Sequence, residues 1–134
     1  MTLHKGSCLC GAVAFTIKGD LQAFFLCHCS RCRKVSGSAH AANLFAPDAT
    51  ITWESGEKNA RIYSHPETRF GRSFCCECGG ALPRKAADGK SLVIPAGCLD
   101  TPVEINPTAH IFTASRANWD HDLETVPMYD ELPK

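Results

Sequence analysis

The sequence has no apolar run that approaches the length of a membrane-spanning helix. A bilayer-crossing helix is therefore not expected, nor is a membrane partner. Neither sign of charge is in surplus, since 14 Lys and Arg offset 14 Asp and Glu. Nucleic-acid binding draws on a basic face, so no nucleic-acid partner is expected. The opening, MTLHKGSCLCG, lacks the apolar core of a secretory signal. That points to the cytoplasm, a reducing compartment. Linker-like tracts, low-complexity segments and internal repeats are missing as well. The 134 residues read as one domain, 1–134, with one modest core. No segment keeps a helical period over three turns, which argues against a helical architecture.

What is present is a series of short strand signals. In GAVAFTIKG, Val13, Phe15 and Ile17 alternate onto one face. LQAFFLC runs directly into a cysteine cluster. Segments 39–45 and 49–55 flank a Pro-Asp turn, and 60–65 and 69–75 flank a turn at Pro66. GALPRKA and SLVIPAG are joined by ADGK, where Asp88-Gly89 is a hairpin signal. AHIFTAS (109–115) is a further candidate strand, and CSRCRKVSG has room for a turn of helix. The expected fold is mostly β. The polar tail from Asn118, with Pro127 and Pro133, is expected to wrap the surface.

Cysteine is the exception to this ordinary composition. There are 9, in three clusters and a singleton, and an odd count cannot pair completely within one chain. In a reducing compartment such spacing reads as metal or redox chemistry before disulfide scaffolding. Cys8 and Cys10 stand two apart, so in a strand both sulfurs face one side. Cys75 and Cys78 form C-x-x-C followed by two glycines, the spacing of a zinc knuckle. Two such pairs make up one closed tetrahedral thiolate site, which would contribute folding energy. Cys27, Cys29 and Cys32 combine C-x-C with C-x-x-C. Three protein ligands and an exchangeable position is how catalytic zinc sites are built.

The neighbours of these clusters have plainer readings. His28 alternates away from Cys27 and Cys29 in an extended segment, which favours a bystander over a fourth ligand. Arg31, Arg33 and Lys34 either favour ionised thiols and an incoming carboxylate or are surface charge. Arg31 and Arg33 are the candidate substrate contacts. Cys76 and Cys98 read as buried small thiols. His40, His65 and His110 read as structural histidines. Trp119 would cover a pocket or anchor the tail.

The segments GSCLCGAVAF, CHCSRCRKVSGSAH, RSFCCECGGAL, IPAGCLD and HIFTASRANW follow one another in the order of the glutathione-dependent formaldehyde-activating enzyme family, which also includes centromere protein V. The resemblance runs from about Gly6 to Pro133. It implies coiled antiparallel sheets, tent-like and Mss-four-like, stapled by zinc. It further implies two zinc ions per chain. Cys8, Cys10, Cys75 and Cys78 would hold a structural zinc, and Cys27, Cys29 and Cys32 a second, catalytic zinc. The implied activity is a carbon–sulfur lyase reaction joining formaldehyde to glutathione, with a small thiol such as glutathione as partner. Two alternatives stand beside it. One is a zinc-stabilised binding module without catalysis. The other is a thiol redox protein using Cys29 and Cys32, or Cys75 and Cys78.

Overall fold

The computed structural model describes residues 2–133. Among these residues, eleven strands form three sheets, with one short α-helix. The first sheet has the order β1 (Leu3–Ser7), β2 (Ala14–Lys18), β5 (Thr50–Ser55). Its inner face is the alternation expected from sequence: Val13, Phe15 and Ile17 are all buried. The Phe15 ring meets Trp53 of β5 edge-on at 5.9 Å, a favoured aromatic arrangement.

The second sheet has the order β11 (Ala109–Ile111), β3 (Ala23–Cys27), β4 (Ala41–Ala46), β10 (Leu92–Pro95), β9 (Arg84–Lys85). Its β4 and β10 strands contribute Leu44, Ala46, Leu92 and Ile94 to the common core. The third sheet is β6 (Ala60–Ser64), β7 (Gly71–Cys75), β8 (Ala81–Leu82). All but one of the strand pairings are antiparallel. The exception is β11, which runs parallel to β3, so the all-antiparallel expectation needs correcting there. Such a pairing requires a long crossover rather than a hairpin, and the chain between β3 and β11 supplies it.

Two local features set the positions of the sites. The stretch GALPRKA is not one strand. Pro83 has no N–H to donate to a ladder, and the chain changes sheets there. Strand β8 pairs with β7 before it, and β9 pairs with β10 after it. The ADGK turn is closed by Asp88, whose side chain accepts from the N–H groups of Lys90 and Ser91 at 2.8 and 2.9 Å. The helix α1 (Ser30–Ser36) begins immediately after β3. It ends at Gly37, whose left-handed backbone (φ 65°) lets its N–H reach the Arg33 carbonyl.

Beyond β11 the chain has only short 3-10 turns, and from Asn118 onward Asp120 alone is buried among the described residues. The tail does lie on the surface. Its buried holding point is Asp120, however, while Trp119 is 57% exposed. No helix of the described residues is long and apolar enough to cross a membrane.

Candidate metal centres

The first and third sheets meet at four sulfurs. Those of Cys8, Cys10, Cys75 and Cys78 all lie within 4.8 Å of one another. Cys8 and Cys10 are 3.6 Å apart, and Cys10 and Cys75 are 3.9 Å apart. A tetrahedral zinc with bonds of about 2.3 Å sets its sulfurs ~3.8 Å apart, so the cluster fits such an ion. One expectation needs correcting. Strand β1 ends at Ser7, so Cys8 and Cys10 do not alternate along it. They meet because the chain turns, with the Gly11 N–H closing on the Cys8 carbonyl at 3.1 Å.

The opposite half is a knuckle at the end of β7. The Gly79 N–H reaches the Cys75 carbonyl at 2.8 Å, with Gly79 at φ 74°. The N–H of Glu77 points at the Cys75 sulfur and that of Gly80 at the Cys78 sulfur, both at 3.4 Å. These donors stabilise thiolates. The Cys10 N–H, then the Gly80 N–H, bring Cys78 down to about 6. At Cys10 the Ala12 N–H acts to lower the pKa, but the Cys8 sulfur, burial and the Cys78 and Cys75 sulfurs together outweigh it, and Cys10 is pushed up to about 12. Four thiols so close cannot all ionise without a cation among them.

Cys76 corrects a second expectation, because it is exposed rather than buried. It sits on the outer side of the knuckle turn, where its N–H bonds the Asn59 carbonyl at 2.8 Å and its side chain faces solvent. Cys98 is buried, and desolvation pushes it up to about 12. It behaves as a small apolar side chain.

The three-thiol cluster lies at the junction of β3 and α1. The sulfurs of Cys27, Cys29 and Cys32 are within 4.8 Å of one another. Cys29 caps the helix, its sulfur accepting from the Cys32 N–H at 3.3 Å. Burial raises the Cys29 pKa, but the Cys32 N–H and the two neighbouring thiols outweigh it and lower the pKa overall. Burial pushes Cys27 and Cys32 up. Cys29 is thus the readiest of the three to ionise, and a bound cation would favour ionisation of all three. Three soft ligands fit zinc with one position left for another group.

All three cysteines line a cleft of about 580 Å³, within the usual range for small-molecule sites. Its walls are aromatic, with Phe25, Phe45, Phe70 and Phe112, and its cations are Arg31, Arg69 and Arg84. Phe25 and Phe45 pack at 5.4 Å between ring centres. Burial lowers the Arg84 pKa, and the Cys32 sulfur opposes that shift, as expected where guanidinium and thiol share one wall. Two of the cleft residues, Glu67 (φ 62°) and Phe112 (φ 55°), have left-handed backbone. Such strain in non-glycine residues concentrates at binding and catalytic sites.

The structure divides the basic residues that follow the cysteines. Arg31 lines the cleft, whereas Arg33 and Lys34 do not. Arg33 instead tucks its Nε into the protein without a hydrogen-bond partner. Arg69 and Arg84 were not apparent from sequence, since each is distant from the cluster in the chain. His65 is exposed and bonds the Tyr63 hydroxyl at 2.9 Å. His28 is buried among His40, His110 and Asp120. Burial holds its pKa below the usual value, against the opposing charge of Asp120.

Fold and site together define a mostly β protein with one closed four-thiol cluster and one open three-thiol cluster, both able to bind metal. A profile of the family described as glutathione-dependent formaldehyde-activating enzyme matches residues 3–115. The chain is 30% identical over 124 residues to a Halomonas elongata protein named, provisionally, as a glutathione-dependent formaldehyde-activating enzyme. That match covers 87% of this chain and 79% of the relative. The chain belongs to the glutathione-dependent formaldehyde-activating enzyme family. It also shares its fold with a crystal structure of a Rhodobacter sphaeroides protein, at a TM-score of 0.56 and 23% identity. This covers 79% of this chain and 98% of the other.

Proposed function

We propose that this protein is a zinc-dependent carbon–sulfur lyase-like enzyme acting on a small thiol or its adduct, of the S-hydroxymethylglutathione-forming type. The observation that carries the reading is the three-thiol cluster on the wall of an aromatic, cationic cleft. Zinc held by Cys27, Cys29 and Cys32 would supply a Lewis acid that favours the thiolate form of a substrate thiol at neutral pH. The cysteines serve as ligands, not nucleophiles. Arg31, Arg69 and Arg84, which line the cleft, would pair with substrate carboxylate. The phenylalanine walls would lower the dielectric beside those ion pairs and strengthen them. Cys8, Cys10, Cys75 and Cys78 would hold a structural zinc. We place the protein in the cytoplasm, where its nine free thiols stay reduced, and we expect neither membrane nor nucleic-acid partners.

The test combines zinc content with calorimetric titration of the zinc-loaded chain by glutathione, with and without formaldehyde. Two zinc ions per chain, thiol binding and formation of the hydroxymethyl adduct are expected. Full zinc loading without thiol binding or turnover would overturn the enzymatic reading and leave a zinc-stabilised binding module. A metal-free chain with reversible disulfides would establish the redox alternative.

A further inference from the structure

Residue 28 lies between two cysteines of the three-thiol cluster, but its ring points into a separate, buried set of polar groups. His28 is 1% exposed and Asp120 6%. His28 Nδ1 and Asp120 Oδ2 lie 3.2 Å apart, and since both are buried without another hydrogen-bond partner, each has only the other to offset its desolvation. His28 Nε2 and His110 Nδ1 are hydrogen-bonded at 2.8 Å. With the His28 proton on Nδ1, facing the carboxylate, Nε2 accepts from the His110 Nδ1–H. The backbone is held from the same direction, since the His28 N–H donates to the Ile111 carbonyl at 2.9 Å. Asp120 is itself fixed by Arg116, whose Nη2 donates to the Asp120 carbonyl at 2.7 Å. Every one of these attachments comes from residues 110–120, on β11 and the segment after it.

Extended backbone makes this placement consequential. Cys27 ends β3 and Cys29 keeps extended backbone (φ −65°, ψ 157°), so the side chains at 27 and 29 project to one side and that of 28 to the other. Gripping the ring of residue 28 therefore fixes the directions in which the sulfurs of 27 and 29 point. A three-ligand site built on one short segment has no second strand to hold it in shape, unlike the four-thiol cluster.

We propose that Asp120 and His110 are positioning residues for the three-thiol cluster, acting through His28 to hold its sulfurs in a metal-ready arrangement. This rests on the reading of that cluster as a zinc site. Removing groups behind metal ligands typically weakens metal binding by 10–100-fold, and the loss here is confined to one of the two clusters.

The experiment compares the parent chain with Asp120→Ala, Asp120→Asn and His110→Ala. His110 is exposed, so its removal spares the core. Each protein is loaded with zinc, and a chromophoric chelator is titrated against it to give two affinities. Loading with cobalt, whose thiolate absorption differs between three- and four-sulfur sites, assigns each affinity to its cluster. In Asp120→Ala and His110→Ala the three-thiol affinity should fall roughly 10–100-fold, with the four-thiol affinity unchanged. Asp120→Asn, which keeps an oxygen facing His28 Nδ1, should lie nearer the parent. Parent protein with two ions and alanine variants that keep both affinities would overturn the inference alone. Equal weakening at both clusters would also overturn it, showing a general strut instead. A parent that takes one ion only, at the four sulfurs, would overturn the zinc reading of the three-thiol cluster and this inference with it.

Discussion

Lowering the pH should expel zinc from the four-thiol cluster in two regimes, with a break near pH 6. Metal and protons compete for the same sulfurs, so affinity falls wherever binding must displace a proton. Cys10, pushed up to about 12 by its thiol neighbours, is protonated at every working pH and always loses a proton to the metal. It alone makes zinc affinity fall about tenfold per pH unit. Cys78, held down to about 6 by the N–H groups of Cys10 and Gly80, is ionised above that value and adds no dependence there. Below it, Cys78 must also be deprotonated, and the fall steepens by up to about a further tenfold per unit. The assay is chelator competition from pH 8 to 5 in Cys32→Ala, where the three-thiol cluster is disabled. Cys78→Ser, which removes the second titrating group, should lower the affinity throughout and abolish the break. A pH-independent affinity, or a break that survives in Cys78→Ser, would refute the reasoning.

Three further outcomes follow from other parts of the molecule. A Cβ added at Gly6 would land on the Phe15 ring and the Cys98 carbonyl, so Gly6→Ala should cost about 1–3 kcal/mol of overpacking in a denaturant titration of the zinc-loaded protein. Arg84→Gln should weaken calorimetric binding of a carboxylate-bearing thiol by about tenfold or more, the worth of one charged hydrogen bond, without changing zinc content. Asp88, held at about 2 first by the Lys90 N–H and then by the Ser91 N–H, has a folded value below its unfolded one. Its stabilisation of the 86–91 turn is thus complete above about pH 4 and lost as pH falls through 2. Protection of the Lys90 and Ser91 amides, measured against their intrinsic exchange rates, should fall in that window, and Asp88→Asn should flatten the dependence.

Local signals in the sequence carried most of the strands. The alternation of Val13, Phe15 and Ile17 appears as one buried face, and Asp88-Gly89 sits in a tight turn. The cysteine spacings separated a four-sulfur cluster from a three-sulfur one, and the structure brings together the same two groups. The remainder depends on contacts distant in sequence. Nothing local to RFGR or LPRK indicates that Arg69 and Arg84 meet Cys32 in one cleft. Alternation placed His28 opposite the sulfurs but could not reveal Asp120 or His110 on the far side. The parallel pairing of β11 with β3 likewise has no turn to announce it. GALPRKA reads as one strand straight through Pro83, and nothing local marks that residue as the point at which the chain leaves one sheet for another.

That switch constrains how the chain's length can vary. Cys78 is tied into the four-thiol cluster, Leu82 is registered against Ser73, and Arg84 against Val93. Surface connections usually absorb added or deleted residues, but this short connection is fixed at both ends and at its middle. One residue inserted before Pro83 would turn Leu82 out of the core, because successive strand side chains face opposite ways. One inserted after it would turn the Arg84 guanidinium away from the cleft. The segment between knuckle and cleft can therefore change its letters but not its length.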